Sequence, residues 1–357
     1  MDEERRDREI MQALKLIAPG TELREGISRI VSGHFGGLIV VGDSEDIRAL
    51  CNGGFRLDID FTAPRLYQLS KMDGAVILSE DLTTIRFANV HLVPDPSIHT
   101  TEGGTRHRTA ERVARQTGKL VIAISQRLER ITLYKGDWRH VVEESRVIIS
   151  KANQALQTLE KYRSRHDQVS QALSALEAEG LVTLQDVVKL LQRAEMITRI
   201  SEELELYLAE LGTEGRLIRL QYEELIAGLE REKENTIRDY RQDDRRSVEV
   251  ILRILSRLTS EELLVLTNVA QALGYSGSQD ELDRPLIPRG YRVLSRIPRL
   301  PSSIVDKLVK HFRNLRNIME ANEGELEEVE GVGKARAALI LEGLRRISES
   351  TLVERFA

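Results

Sequence analysis

The sequence predicts a three-part protein: an N-terminal α/β domain, an all-α helical spine and a C-terminal helix-hairpin-helix module. Three observations predict it. After Pro96 no proline follows until Pro285, and such a span favours long helices. Before it, short apolar runs rich in β-branched residues alternate with amphipathic stretches. After it, prolines return, and Leu326 to Leu339 contains a Gly-Val-Gly turn that opens a helical pattern. These changes place the parts at residues 5–145, 146–283 and 284–357.

In the first part, Leu38–Val41, Ala75–Leu78 and Leu120–Ile124 read as buried strands. Glu9–Ala18, Glu22–Ser32 and Arg106–Thr117 read as helices between them. In the second, Leu156, Leu159, Leu173, Leu176, Leu190 and Leu191 recur at helical spacing. Gly180 and the Gly212–Gly215 pair mark helix ends there. In the third, Arg284 to Arg316 holds nine Lys/Arg against one acid, Asp306. No long-period repeat stands out.

Composition narrows the function. A chain of 357 residues exceeds one ordinary core, so two or three domains are expected. Net charge is −5, so any nucleic-acid site must be a local basic patch. The single cysteine, Cys51, excludes a disulfide framework, a four-cysteine zinc site and a cysteine-ligated iron–sulfur cluster. The opening MDEERRDREI has no apolar core, which argues against a signal peptide. No apolar run reaches about 18 residues, so no membrane span and a cytosolic location are expected.

The chemistry concentrates in two stretches. Glu102-Gly103-Gly104-Thr105-Arg106-His107-Arg108-Thr109 places two glycines before a helix, with Thr105 as the expected N-cap. Glycines allow close backbone approach, and free amides at a helix start bind anions. Arg106, His107 and Arg108 add donors there. A polyphosphate fits this design, although first-turn arginines can also be merely solvated. Asp73-Gly74-Ala75 supplies a carboxylate just before a strand, able to hold a divalent cation and orient a hydroxyl. An Asp-Gly turn without chemistry is the plainer alternative. His34, His91 and His99 have no metal-ligand spacing, and Cys51-Asn52-Gly53-Gly54 reads as a turn.

Together, Asp73-Gly74-Ala75 and Gly104-Thr105-Arg106-His107-Arg108-Thr109-Ala110-Glu111-Arg112 strongly resemble the two signature motifs of the diadenylate cyclase family, DGA and RHR. The resemblance covers roughly residues 5–145 and implies a mixed sheet flanked by helices. It implies a nucleotidyltransferase that condenses two ATP into cyclic di-3′,5′-AMP and two pyrophosphates with Mg²⁺ or Mn²⁺. It assigns Asp73 to the metal and to deprotonation of the ribose 3′-OH, and Thr105 to Thr109 to the triphosphate. Gly74, Ala75 and Leu92 fall on the adenosine side, with Ser125 and Arg127 at the pocket's edge. Leu92 reads equally well as strand core. The three-part architecture is similar to that of family members that scan DNA. That similarity implies a homo-octamer through face-to-face cyclase domains, association with the nucleoid, and synthesis lowered by branched DNA such as Holliday junctions as a damage checkpoint.

Two other readings compete. Lys71-Met72-Asp73-Gly74 also fits the K-x-D-G pattern in which a ligase lysine is adenylated. Bacterial NAD-dependent ligases also carry helix-hairpin-helix modules, but they need a four-cysteine zinc finger, and no second ligase motif follows here. A non-enzymatic DNA-binding scaffold would leave Asp73 and Arg106 to Arg108 unexplained.

The C-terminal hairpin explains itself physically. The amides of Gly331, Val332 and Gly333 can point at one backbone phosphate, with Lys334 and Arg336 adding charge. Such contacts do not read bases, so binding should be independent of sequence. Ile297 to Ser303, with Arg299 and Ser302, reads as a degenerate first hairpin.

Overall fold

The computed structural model describes residues 2–243 and 246–354, with side chains over 7–243 and 246–347; the expected domain limit at Ala357 lies outside them. The chain divides into two compact units, Met1–Gln154 with Leu204–Leu220, and Ala155–Glu203 with Gln221–Ala357.

The first unit runs α1 (Asp2–Leu16), α2 (Glu22–Ser32), β1 (Gly37–Val41), α3 (Glu45–Leu50), β2 (Cys51–Asn52), β3 (Phe55–Asp60) and α4 (Ala63–Leu69). It continues with β4 (Ala75–Leu78), β5 (Thr84–Leu92), α5 (Thr105–Thr117), β6 (Leu120–Ile124), β7 (Ile131–Lys135) and β8 (Trp138–Val141). The strands form one eight-stranded mixed sheet, ordered β2-β5-β4-β1-β6-β7-β8, with β3 also paired to β5. β1 and β4 are parallel, and the other named pairs are antiparallel.

Strand alternation explains why helices cover both faces. Ile39, Val41, Val76, Leu78, Ile122 and Ile124 point to one side, where Leu14 of α1, Ile17 just after it, Ile27 and Ile30 of α2 and Leu66 of α4 close over them. Leu38, Val40, Ala75, Ile77, Val121 and Ala123 point to the other, under Ile47 of α3 and Ala110, Val113 and Ala114 of α5. A central strand buried on both faces reads as a continuous apolar run, as Leu38–Val41 does.

The expected turn at Cys51 to Gly54 is only half a turn. Cys51 and Asn52 pair with Leu92 and His91 as β2, and only Gly53 and Gly54, at φ +65° and +83°, make the bend.

The remaining chain is helical: α6 (Ser145–Glu179), α7 (Leu184–Leu211), α8 (Arg216–Ile226), α9 (Leu229–Tyr240), α10 (Val248–Arg257), α11 (Ser260–Leu264) and α12 (Leu266–Ala272). Then come α13 (Tyr291–Leu294), α14 (Ser302–Phe312), α15 (Leu315–Glu320), α16 (Glu323–Glu327) and α17 (Lys334–Glu354). Gly180 ends α6 at φ +70°, and Gly212–Gly215 forms a 3-10 turn after α7, as the sequence expects. The second unit has two apolar clusters. One gathers Leu173, Leu190, Ile237, Leu255 and Val269, and the other gathers Leu294, Leu308, Ile318, Leu326 and Ile340.

Candidate functional site

Sheet topology brings the predicted residues to one edge. β1 and β4 are parallel, with Ile39 beside Val76, so Gly36 and Asp73 enter the sheet at the same end. β6 runs the other way, with Ile124 opposite Gly37, so Ser125 leaves the sheet there. β5 is antiparallel to β4, with Val90 opposite Ala75, which brings Leu92 to that end as well.

Asp73 is held there by its backbone. Its carbonyl accepts a hydrogen bond from Asn89 Nδ2 at 2.6 Å. Gly74 sits at φ +93°, and a Cβ on it would lie 2.8 Å from the Val90 carbonyl oxygen, so only glycine fits. Asp73 is exposed at the strand's start, while Ala75 is fully buried. Lys71 is exposed too, its Nζ 4.6 Å from the Tyr67 ring centroid and 5.9 Å from that of Phe35.

The helix start supplies the second element. Gly104, not Thr105, is the N-cap of α5; its backbone is extended and it makes no side-chain cap bond. Thr105 is already helical because the Arg108 amide donates to the Gly104 carbonyl at 2.9 Å. The amides of the first turn lack intrahelical partners, which suits an anion. Helical twist sends the three basic side chains three ways. Arg106 lies over Gly36, where a Cβ would come within 2.2 Å of its Nη1. His107 turns inward, its ring 6.4 Å from that of Tyr134. Arg108 bends back to donate to the Gly103 carbonyl at 3.2 Å. Burial lowers the His107 pKa, with nearby Glu102 pulling the other way.

The loop before α5 is tied down along its length. Gln116 accepts from the Asp95 amide at 3.0 Å, Arg112 Nε donates to the Ile98 carbonyl at 2.9 Å, and Arg115 donates to the His99 carbonyl at 2.5 Å. Thr100 donates to Glu111. Glu102 Oε1 accepts from the Tyr134 hydroxyl at 2.8 Å and from Arg139 Nε at 2.6 Å. Glu102, Glu111 and Arg112 fall inside the stretches the sequence singles out, but Gln116, Arg115, Thr100, Tyr134 and Arg139 do not, because they act across the fold.

Leu92 is 4 % exposed in the core beside Val113. Its side chain packs in the strand core. Ser125 is half-buried and its Oγ accepts from the Leu128 amide at 3.3 Å, while Arg127 is exposed on that same turn. His34 Nδ1 lies 2.7 Å from Glu129 Oε1. Among the described residues, no group of three or more His, Cys, Asp or Glu could hold a metal ion.

The C-terminal module contains the two hairpins that the sequence leads one to expect. Val329-Glu330-Gly331-Val332-Gly333 leads into α17 as Ile297-Pro298-Arg299-Leu300-Pro301 leads into α14. Leu300 and Val332 are each 5 % exposed, and Gly331 at φ +91° corresponds to Arg299 at φ +62°. The two hairpins interlock, since a Cβ on Gly331 would meet Ile304 at 2.9 Å and one on Gly343 would meet Ile297 at 2.9 Å. The first hairpin keeps the apolar spacing and is degenerate because Arg299 and Pro301 stand where the second has Gly331 and Gly333. Ser302, Gly333, Lys334 and Arg336 are exposed at the two helix starts.

The basic run Arg284 to Arg316 is less of a surface than its composition suggests. Arg289 donates to the Arg238 carbonyl at 2.6 Å, Arg292 is 1 % exposed, and Arg296 bonds Glu232 at 2.8 Å. These three hold the interior together.

The chain matches the family described as DisA bacterial checkpoint controller nucleotide-binding over residues 24–138. It matches the DisA bacterial checkpoint controller linker region over residues 142–282, and a SAM-like helix-hairpin-helix tandem over residues 291–346. A protein of Parafrankia sp. named DNA integrity scanning protein DisA is 50% identical over 345 residues, 96% of each chain. Its namesake in Carboxydothermus hydrogenoformans is 51% identical over 347 residues, 97% of this chain and 99% of the other. The chain belongs to the DisA family.

As a DisA family member it is a diadenylate cyclase, a nucleotidyltransferase with a nucleotide-binding domain and a DNA-binding helix-hairpin-helix tandem. The DisA nucleotide-binding match contains the whole sheet edge from Asp73 to Arg127. The tandem match contains both Arg299 and Gly331. No described helix is long and apolar enough to cross a membrane.

Proposed function

We propose that each cyclase domain holds one ATP at this sheet edge and that two such domains meet face to face to make cyclic di-3′,5′-AMP. The observation that carries the reading is the convergence of the Asp73 turn, the α5 start over Gly36 and the Ser125 turn at one end of the sheet.

Thr105 to Thr109 hold the triphosphate through first-turn amides and through Arg106 and Arg108. Gly74, Ala75 and the Leu92 backbone line the adenosine side, with Ser125 and Arg127 at the rim. Asp73 orients the ribose 3′-OH and accepts its proton. The 3′-oxygen bonds to the α-phosphorus of the opposing ATP, the bond to the bridging oxygen breaks, and pyrophosphate leaves. The same step in the opposite sense closes the ring. A product with two-fold symmetry, built from one ATP per site, needs two protomers about a two-fold axis. The reading extends this pairing to a homo-octamer.

The Asp73 side chain suits a divalent ion such as Mg²⁺ or Mn²⁺, since Mg²⁺ sites commonly use one or two carboxylates completed by substrate phosphates and water. When bound, the ion would neutralise phosphate charge and acidify the hydroxyl.

The C-terminal tandem grips DNA backbone without reading bases, favours branched DNA, places the protein at the nucleoid, and lowers synthesis when occupied. Paired helix starts carrying exposed Arg299, Ser302, Lys334 and Arg336 support this.

The test is incubation with ATP and Mg²⁺ or Mn²⁺ followed by mass detection of cyclic di-AMP. Asp73→Asn should abolish product while the fold survives, and Lys71→Ala should retain substantial activity. An AMP adduct on Lys71 would sink the assignment.

A further inference from the structure

Glu102 stands immediately before the Gly103-Gly104 turn, yet it carries a negative charge where a polyphosphate is expected. A bare carboxylate there would repel the substrate. The structure shows what offsets it. Its side chain is only 15 % exposed, and Tyr134 and Arg139 are cross-strand neighbours on β7 and β8 that both donate to the same oxygen, Oε1. Burial alone would raise the Glu102 pKa, but the bonds from Tyr134 and Arg139 outweigh it and hold the group ionised. Arg139 supplies the compensating charge, so the cluster is close to neutral toward a ligand. Gly103 and Gly104 are otherwise open: a Cβ on Gly103 would meet nothing within 4 Å, and one on Gly104 would meet only His107 Nδ1 at 4.0 Å. Glu102 is therefore the last side-chain anchor before Gly103 and Gly104, whose carbonyls accept from Arg108 of α5.

We infer that Glu102, pinned by Tyr134 and Arg139, is a positioning residue for ATP: it fixes the Gly103-Gly104 backbone so that the α5 amides are aimed at the phosphates before substrate arrives. It touches no reacting atom. The inference rests on the cyclase reading of this site. Both bonds land on one oxygen, so a glutamine whose carbonyl oxygen takes that place can accept both. Position and charge can therefore be separated.

The experiment measures KM and kcat for cyclic di-AMP synthesis in the full chain for wild type, Glu102→Ala, Glu102→Gln and Arg139→Ala, with a thermal midpoint for each. Loss of preorganisation should raise KM for ATP about tenfold or more in Glu102→Ala, with a much smaller change in kcat. Glu102→Gln should return KM to within about twofold of wild type, and Arg139→Ala should fall between. A general loosening of the fold would lower the midpoint and would not be rescued selectively in KM. Wild-type KM in Glu102→Ala overturns the inference. So does a Glu102→Gln as impaired as the alanine, because charge and not position would then matter. If Glu102→Ala fails to fold, Arg139→Ala decides, since the Arg139 side chain is 46 % exposed; an unchanged KM there is equally fatal. If wild type makes no cyclic di-AMP, the cyclase reading fails separately. Calorimetric ATP titration of the same variants then judges the pin, and equal affinities overturn it.

Discussion

Arg292 on α13 donates from two nitrogens to the two carboxylate oxygens of Glu177 on α6, Nε to Oε1 at 3.1 Å and Nη2 to Oε2, with both side chains almost wholly out of water. The remaining polar capacity is filled: Arg292 also reaches Ser174 Oγ at 2.8 Å and Ser170 Oγ at 3.0 Å, and Tyr240 donates to Glu177 Oε1 at 2.6 Å. The backbone amides of Gly290, Tyr291 and Arg292 meanwhile converge on Asp239 at 2.7 to 2.8 Å. The first helix of the hairpin module is thus bolted into the helices that precede it.

Removing Arg292 strands Glu177 in a dry interior, and removing Glu177 leaves Arg292 only the more distant Glu232 at 3.3 Å among its described ion pairs. Arg292→Ala or Glu177→Ala should each lower unfolding free energy by about 3–5 kcal/mol. The double change Arg292→Met with Glu177→Leu should cost far less than the two losses added together, because no charge is left alone. Urea denaturation of the four proteins checks this, and additive losses would contradict it.

Gly74 and Gly103 should respond oppositely to alanine. At Gly74 the left-handed φ and the Val90 carbonyl 2.8 Å from a Cβ both oppose a side chain. Gly74→Ala should cost about 1–3 kcal/mol and displace Asp73, so stability and synthesis fall together. Gly103 has open space, so Gly103→Ala should leave stability within about 0.5 kcal/mol while raising KM for ATP. Thermal unfolding and steady-state kinetics on both variants separate the two roles.

The contrast shows what a sequence can reveal. Ala75–Leu78 and Leu120–Ile124 are legible because a strand buried on both faces must be apolar throughout. β3, Phe55–Asp60, is not, because its residues are mostly exposed and half of them charged. Asp73, Gly74 and the α5 basic residues stand out because the proposed chemistry needs those types at that spacing. Glu102, Tyr134 and Arg139 are not, because their meaning depends on β7 and β8 lying beside the loop. The basic count near the C-terminus misleads for the same reason: Arg292 and a surface arginine look alike until their partners are known.

Acid should act through Glu232. Burial alone would raise its pKa, but the Ser170 hydroxyl and the charges of Arg296, His166 and Arg292 bring it down to about 2. A carboxylate with a depressed folded pKa adds stability above its unfolded value, and that stability is lost as pH falls through the folded value. Stability should therefore drop between pH 4.5 and about 2. Glu232→Gln should lose on the order of 3 kcal/mol at neutral pH and show a flatter acid limb. Parallel pH–stability curves for the two proteins would count against this role.

The last prediction concerns Arg299, which occupies the place that glycine takes in the second hairpin. Its φ of +62° strains any residue with a Cβ, whereas Gly331 adopts +91° freely. Arg299→Gly should therefore stabilise the protein, by about 1 kcal/mol. Its exposed guanidinium stands beside the α14 start, so the same change should weaken DNA binding and reduce the slope of log affinity against log salt by about one. Stability and binding would then move in opposite directions from one substitution, which a structural defect cannot produce. Gly331→Ala is the control: with Ile304 only 2.9 Å from a Cβ, it should lose both. Deleting the whole module is a poorer test, because Glu177 and Glu232 would lose Arg292 and Arg296. In the cyclase assay, a four-way junction should lower synthesis by wild type more than linear duplex does. Arg299→Gly and Lys334→Ala should each blunt that response, with synthesis in the absence of DNA as the reference. Equal inhibition across all three proteins at the same junction concentration would show that the hairpin tandem is not the sensor.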